Sequence, residues 1–336
     1  MDDSLPVILP GSTGELSTAL EIPEIILDAG PAARFAWEEM FIGEIRNLDT
    51  RRAYYRAASV FLDWCAARNL QLTAIAPADV GRYLESLRES HHVTSQKQIL
   101  AALRKLFDFL VVRHAIVLNP AASVRTEKYQ VVEGKTPEIT LKQARTLLSS
   151  IDTTHIVGLR DKSIIAVMIY TGCRRSAVAK LCCQDFYDGG DQYYFRFEEK
   201  GGKSRAIPVR YDLQRLLLEY LQFAGIQSEN IPDGPLFRSV VRKTKQLTDR
   251  PITGNDVGRI VKRRMKDAGL PKRLSSHSFR VTTITDLLSH GVPLEDVQLL
   301  AGHADPRTTR LYDRRKKEVT RNLVERISVV MDESVD

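Results

Sequence analysis

The first 30 residues of this 336-residue chain contain no Lys or Arg, although the chain as a whole is basic. Asp2, Asp3, Glu15, Glu21, Glu24 and Asp28 give that segment a charge of −6, and a net +7 overall leaves +13 for the remainder. The opening MDDSLPVILPG therefore lacks the positive start of a secretory signal. Long hydrophobic runs are also missing. None reaches the ~18 residues that a membrane span needs, so a soluble, cytoplasmic protein is expected. Cysteine is scarce. Cys65, Cys173, Cys182 and Cys183 form no C-x-x-C pair, and no Cys/His cluster has zinc-ligand spacing. They read as reduced thiols, and neither a metal nor a cofactor is expected. No internal repeat and no low-complexity segment stands out. What remains is a chain with 43% hydrophobic residues, enough to give two domains a core each. Its basic body suits a polyanion partner.

Hydrophobic periodicity divides the chain further. Residues 1–30 read as an acidic tail without helical period. A helical domain is expected over 31–120, with helices at Pro31–Ile45, from a cap at Asp49 or Thr50 to Asn69, after Pro77, and at Thr94–His114. Residues 121–137 hold Pro, Ser, Arg, Lys, Glu and Gly without an apolar period and read as a linker. A second domain over 138–315 begins with a helix capped by Thr140, followed by a helix whose continuous apolar run, Ile164–Tyr170, calls for burial on most sides. Residues 192–209 switch to strand period around the turn KGGKS and form an antiparallel hairpin. Further helices are expected at 212–223, 253–268, 278–289, 293–301 and 307–312. A last helix and tail, 316–336, carry Val319, Leu323, Ile327 and Val330 on one side, a stripe suited either to docking on a neighbouring subunit or to packing on its own domain. The fold class is mainly α: a helical domain, then a mixed α/β domain with a small antiparallel sheet.

The chemistry sits in the second domain. A phosphodiester is anionic, and attack on it piles more charge on its non-bridging oxygens. Arginines aimed at those oxygens bind them bidentately and offset that charge. A nucleophile and a proton donor for the leaving oxygen complete the requirement. The sequence supplies Arg174 in YTGCRRSAV, Lys200 in EEKGGKSR, and His277 and Arg280 at i, i+3 in SSHSFR. His303 and Tyr312 follow in GHADPRTTRLY. Each residue alone has a structural reading: a packed Tyr, a capping His, a turn Lys. His91, His92, His114, His155 and His290 match no motif and are read as structural.

Together, in this order and spacing, these motifs resemble the tyrosine recombinases of the phage-integrase family, of the simple two-domain kind. T-G-C-Arg174 is similar to that family's first arginine box, which favours Arg174 over Arg175 as the family arginine. His277-x-x-Arg280 resembles its H-x-x-R box, and LLSHGVPLEDVQLLAGHADPRTTRLY its G-H…T-T…Y signature. The likeness covers about 138–333, and more loosely 31–120. It implies a SAM-like core-binding domain followed by the catalytic domain. Arg174 and Arg280 would clamp the scissile phosphate, Lys200 protonate the 5′ leaving oxygen, His277 act as acid/base, His303 bond the phosphate, and Tyr312 form a 3′-phosphotyrosine. It implies a double-stranded DNA site as partner, a homotetramer on two sites working through a Holliday junction, and a place at the nucleoid; accessory proteins stay unspecified. One departure is Ala177, where family members usually carry Glu or Asp.

Residues 238–273 hold twelve bases against three acids. A solvated face is the ordinary reading of such a run. Beside a phosphate-cleaving site, Arg242, Lys243, Lys245, Arg259, Lys262 and Arg263 become candidate DNA contacts, with Lys97 and Arg104 in the first domain. The competing functions are a type IB topoisomerase, which would relax supercoiled plasmid lacking any specific site, and a catalytically weakened DNA-binding accessory protein.

Overall fold

The computed structural model describes residues 21–127, 136–198, 204–226, 233–241 and 244–313. The chain forms two compact units that divide at Gln130/Val131.

Among its described residues, every element of the first unit is a helix. Helix α1 (Glu24–Asp28) buries Ile25 and Ile26 in the unit's core, so the end of the expected acidic tail is a packed helix. Pro31 then opens α2 (Pro31–Glu38) at N1, where its missing N–H costs nothing. The single helix expected over 31–45 is two pieces: α2 runs into a π-helical turn, Glu39–Glu44. Trp37, Met40 and Phe41 face the core, whereas Phe35 and Ile42 are 55% and 66% exposed. Phe35 instead lies under the Arg113 guanidinium, which also pairs with Glu39 through two hydrogen bonds of 2.8 and 2.6 Å. Helix α3 (Leu48–Ala66) is capped by Asn47, whose side chain accepts the Thr50 N–H at 3.0 Å. The expected caps at Asp49 and Thr50 fall inside it. Helix α4 (Pro77–Ser86) and helix α5 (Val93–Val112) follow, the latter started by His92. The α3 stripe Ala58, Phe61, Leu62, Cys65 and the α5 stripe Leu103, Leu106, Leu110 close the core. The start of the expected linker belongs to this unit: Ala121 is buried, and Arg104 donates to the carbonyls of Ala121 and Val124.

In the second unit, α6 (Leu141–Ser149) begins with a Thr140–Gln143 capping box. Helix α7 (Ile156–Thr171), capped by His155, is buried on nearly every side and forms the unit's axis. It ends at Gly172, whose φ of 59° is the left-handed conformation that suits glycine. Helix α8 (Arg175–Lys180) follows directly. The expected hairpin is a three-stranded antiparallel sheet: β1 (Phe186–Asp188), β2 (Tyr193–Glu198), β3 (Ser204–Pro208), in that order. Phe195 opposes Ile207 and Phe197 opposes Arg205, which fixes the inward face. Helix α9 (Tyr211–Phe223) packs Leu213, Leu217 and Tyr220 inward.

A second, two-stranded sheet, β4 (Arg238–Val240) with β5 (Leu247–Pro251), lies within the basic segment that the sequence reading left without strands. Helices α10 (Gly254–Asp267), α11 (Ser276–Ser289), α12 (Leu294–Ala301) and α13 (Pro306–Arg310) complete the unit. Helix α11 crosses α7, with Thr283 donating to the Ile169 carbonyl at 2.6 Å. The expected helix at 316–331 lies outside the described residues.

Candidate active site

Two helix ends meet around one arginine. Arg280 sits one turn into α11 and is only 2% exposed. One Nη donates to the Gly172 carbonyl at 2.7 Å, where α7 ends; the other donates to the Ala301 carbonyl at 2.6 Å, where α12 ends. Both helices turn out through left-handed glycines, Gly172 and Gly302, which swing the last carbonyls toward the guanidinium. Among the described residues the buried Arg280 Nε has no hydrogen-bond partner. A buried, unsatisfied charged donor of this kind is costly unless something binds it. Burial, reinforced by Arg174, draws its pKa down to about 10, so it stays cationic at neutral pH.

Arg174, at the cap position of α8, follows the buried Cys173 and extends into solvent. The Cys173 thiol is pushed up to about 11 by burial, so it is a packing residue despite its place in the motif. Arg174, Arg175, Ser176, Ser276 and His277 line one pocket with Cys173.

His277 and Arg280 do start the same helix, α11, as the i, i+3 spacing requires. The His277 Nε2 lies 3.1 Å from the Tyr312 hydroxyl. Desolvation, then Arg280 and Arg174, hold the His277 pKa below its ordinary 6.5. A neutral imidazole beside a phenol can take its proton. His303 is buried, its Nδ1 is 2.9 Å from the Thr309 hydroxyl, and its ring stacks on Tyr312 with centroids 5.6 Å apart. Burial and the neighbouring arginines lower its pKa to about 3, which keeps it neutral with Nε2 left over for another partner. Tyr312 is fixed from three sides: its N–H donates to the Thr309 carbonyl at 3.0 Å, its own carbonyl accepts from Thr285 at 3.2 Å, and its ring borders the cluster of Leu288, Val297 and Ala301.

Five of the six residues singled out in the sequence thus belong to one neighbourhood. Lys200 lies outside the described residues, as do Arg242 and Lys243. The remaining candidate DNA contacts divide. Lys97, Lys245 and Lys262 are exposed. Arg259 pairs with Asp256 at 2.6 Å, and Arg263 with the fully buried Asp161 at 2.7 Å. Arg104 is partly buried and donates to the carbonyls of Ala121 and Val124.

Two features escaped the sequence reading. Arg205 on β3 donates at 2.7 Å to the Leu299 carbonyl, and also to that of Leu300, gripping the last turn of α12 just before His303. Strand alternation carried the signal, since Arg205 shares the inward face with Ile207. Asp161, buried within α7, gathers Arg160, Arg263 and Arg264. It ties α7 to α10. A charged pair inside an otherwise apolar helix, RDKSII, was the hint.

Comparison with known proteins agrees with this geometry. Residues 137–318 match the phage integrase family, and residues 37–114 match the phage integrase N-terminal SAM-like domain. The chain belongs to the phage integrase family. This tyrosine recombinase, of the Xer type, is 30% identical over 273 residues to the tyrosine recombinase XerC of Pelobacter propionicus, covering 80% of this chain and 85% of that protein. It is 27% identical to XerD of Ralstonia nicotianae, over 84% of this chain and 88% of that one. Its fold matches a lambda integrase (75–356) dimer bound to a COC′ core site, with a TM-score of 0.63 at 18% identity, covering 85% of this chain and 95% of that one. It also matches the XerH recombinase in a post-cleavage complex with difH, with a TM-score of 0.63 at 19% identity, covering 79% and 76% of the two chains. At such identities the structural likeness concerns the fold.

Proposed function

We propose that this recombinase cuts and rejoins double-stranded DNA at a specific site through a 3′-phosphotyrosine at Tyr312. The observation that carries the reading is the Tyr312 hydroxyl, 3.1 Å from a neutral His277 in the same neighbourhood as Arg280 and Arg174. His277 Nε2 takes the phenolic proton as the Tyr312 oxygen attacks phosphorus. The bond from phosphorus to the 5′ oxygen breaks, and that oxygen leaves with a proton, supplied by Lys200 in the family pattern. Arg280 and Arg174, with His303, face the non-bridging oxygens and offset the charge that builds there. The phosphotyrosine keeps the energy of the broken linkage. A 5′ hydroxyl can attack it, giving its proton back to Lys200, while the phenolate leaves and His277 returns the proton to it. Neither ATP nor a metal ion enters these steps.

The solved complexes to which the fold is similar include a lambda integrase tetramer bound to a Holliday junction. By that likeness the working unit is a homotetramer on two DNA sites, a dimer on each, exchanging strands through such a junction. Among the described residues no helix is long and apolar enough to cross a membrane. A cytoplasmic place at the nucleoid fits an enzyme acting on chromosomal, plasmid, transposon or phage DNA.

The test is a nicked suicide substrate that traps the covalent complex, followed by sequencing of the junction. Wild type should yield an adduct that maps to Tyr312. The Tyr312→Phe protein should bind the same DNA and yield none; an adduct of wild-type yield with that variant would sink the reading.

A further inference from the structure

Arg175, next to the family arginine, is used by nothing described so far. It is exposed, and among the described residues neither it nor Arg174 has a hydrogen-bonding or ion-pairing partner. That sets the pair apart from Arg82, Arg259, Arg263 and Arg307, each of which holds a carboxylate. The position that would bring an acid closest, Ala177, packs against the hydrophobic core instead. Arg174 and Arg175 thus put two positive charges on consecutive residues at the start of α8.

The place of the Arg175 side chain is nevertheless specific. The start of α8 rests on α10 at two glycines one turn apart. A Cβ at Gly254 would lie 3.4 Å from the Ser176 Cα, in ordinary contact. A Cβ at Gly258 would lie 2.7 Å from the Arg175 Nη1 and 3.8 Å from its Cζ, closer than real Cβ atoms come. One Nη of the flexible Arg175 side chain therefore rests against the bare backbone of α10 at Gly258. It lines the same pocket as Arg174, Ser176, Ser276 and His277. That pocket opens beside the attacking tyrosine, because His277 is the residue bonded to Tyr312.

Resting on the reading of the site given above, we infer that Arg175 is a second phosphate-binding residue of this recombinase, which grips a DNA phosphate flanking the scissile one. The pocket offers what a phosphodiester needs: a planar cation with a free fork, and hydroxyls from Ser176 and Ser276 beside it. Duplex DNA in turn supplies the negative charge that the Arg174–Arg175 pair lacks within the protein. Gly258 then has a specific task, to keep the backbone of α10 low enough for the guanidinium to lie over it. Arg175 touches DNA without touching the reacting atoms, so its contribution belongs to binding and to register along the strand.

The experiment is a binding cycle on uncleaved duplex sites. Neutral methylphosphonates replace, one at a time, the phosphates on either side of the scissile one. Binding is compared for wild type, Arg175→Gln, Arg175→Lys and Gly258→Ala, with thermal melting as the check on folding. At one flanking position the neutral linkage should weaken wild type about tenfold yet change Arg175→Gln less than twofold, because the contact is already gone. The slope of log affinity against log salt should fall by about one in Arg175→Gln and be retained in Arg175→Lys. Gly258→Ala, with Arg175 intact, should reproduce part of the Gln phenotype. The inference is overturned if every flanking methylphosphonate weakens Arg175→Gln as much as wild type, or if the salt slope does not move. Because the readout is binding, loss of the wild-type Tyr312 adduct would count against the recombinase reading alone, whereas additive cycles with the adduct intact would count against Arg175 alone.

Discussion

Two histidines and a tyrosine share one cleft, and their protonation follows from where they stand. His277 and His303 both titrate below 6.5, His303 near 3, because burial and Arg280 with Arg174 disfavour a further positive charge. The catalytic consequence concerns His277, which must be neutral to take the Tyr312 proton. Single-turnover cleavage should therefore be flat in His277's protonation from pH 8 to 7 and decline only below 6.5, as the proton it gains blocks the step; a midpoint above 6.5 in wild type, absent in His277→Gln, would contradict the assignment. The stability consequence concerns His303. Unfolding frees it to bind a proton at its ordinary 6.5, so the unfolded state holds more protons at any pH between about 3 and 6.5. Its contribution is complete above 6.5 and declines as pH falls, on the order of 2 kcal/mol by pH 5. A His303→Gln protein should show a shallower loss of denaturant stability between pH 7 and 5 than wild type. Tyr312, His277, Arg280 and His303 were all legible in the sequence, because a motif preserves residue type and spacing. Arg205 was not: what it does depends on which carbonyls a strand meets after 94 residues of intervening chain.

Helix and strand endings, more than their middles, build this site. Arg280 joins the ends of α7 and α12, and Arg205 holds the last turn of α12 to β3. Removing that second tie should loosen His303 and Tyr312 without touching DNA. Arg205→Ala is expected to slow adduct formation at saturating DNA by roughly a hundredfold, the scale of a small misplacement of reacting groups. Affinity should hold within about twofold and Arg205→Lys, with one donor in place of a fork, should recover only part; equal losses in affinity and rate would point to general damage. Asp161 is the corresponding tie between α7 and α10. Its replacement by Ala leaves Arg160 and Arg264 without their buried partner and should cost about 3 kcal/mol of stability in urea unfolding. Element type was readable where periodicity was strong, as in α3, α5, α7 and α9. The π-helical turn at Glu39–Glu44 and the β4–β5 sheet were not. The first keeps helical spacing, and the second is two short strands of mixed character, from the largely buried Arg238 to the fully exposed Asp249, whose pairing is set by their neighbours.

Across the whole molecule, charge and chain order tell the same story. Both units were visible as two stretches of helical period separated by a stretch without one, although the first unit reaches back to α1 and forward past Ala121. The second unit holds Tyr312 together with His277, Arg280 and His303, with Arg174 close by. On the proposed reading each subunit uses its own tyrosine beside its own histidines and arginines, and none has to be lent by a neighbour. Two dead proteins should stay dead when combined. Mixing Tyr312→Phe with Arg280→Ala on one suicide substrate should give no more adduct than either alone, whereas an enzyme that borrowed its nucleophile from the next subunit would regain activity in the mixture. On that reading a strand is broken only by the subunit sitting on it, and the timing of each cut is a local decision.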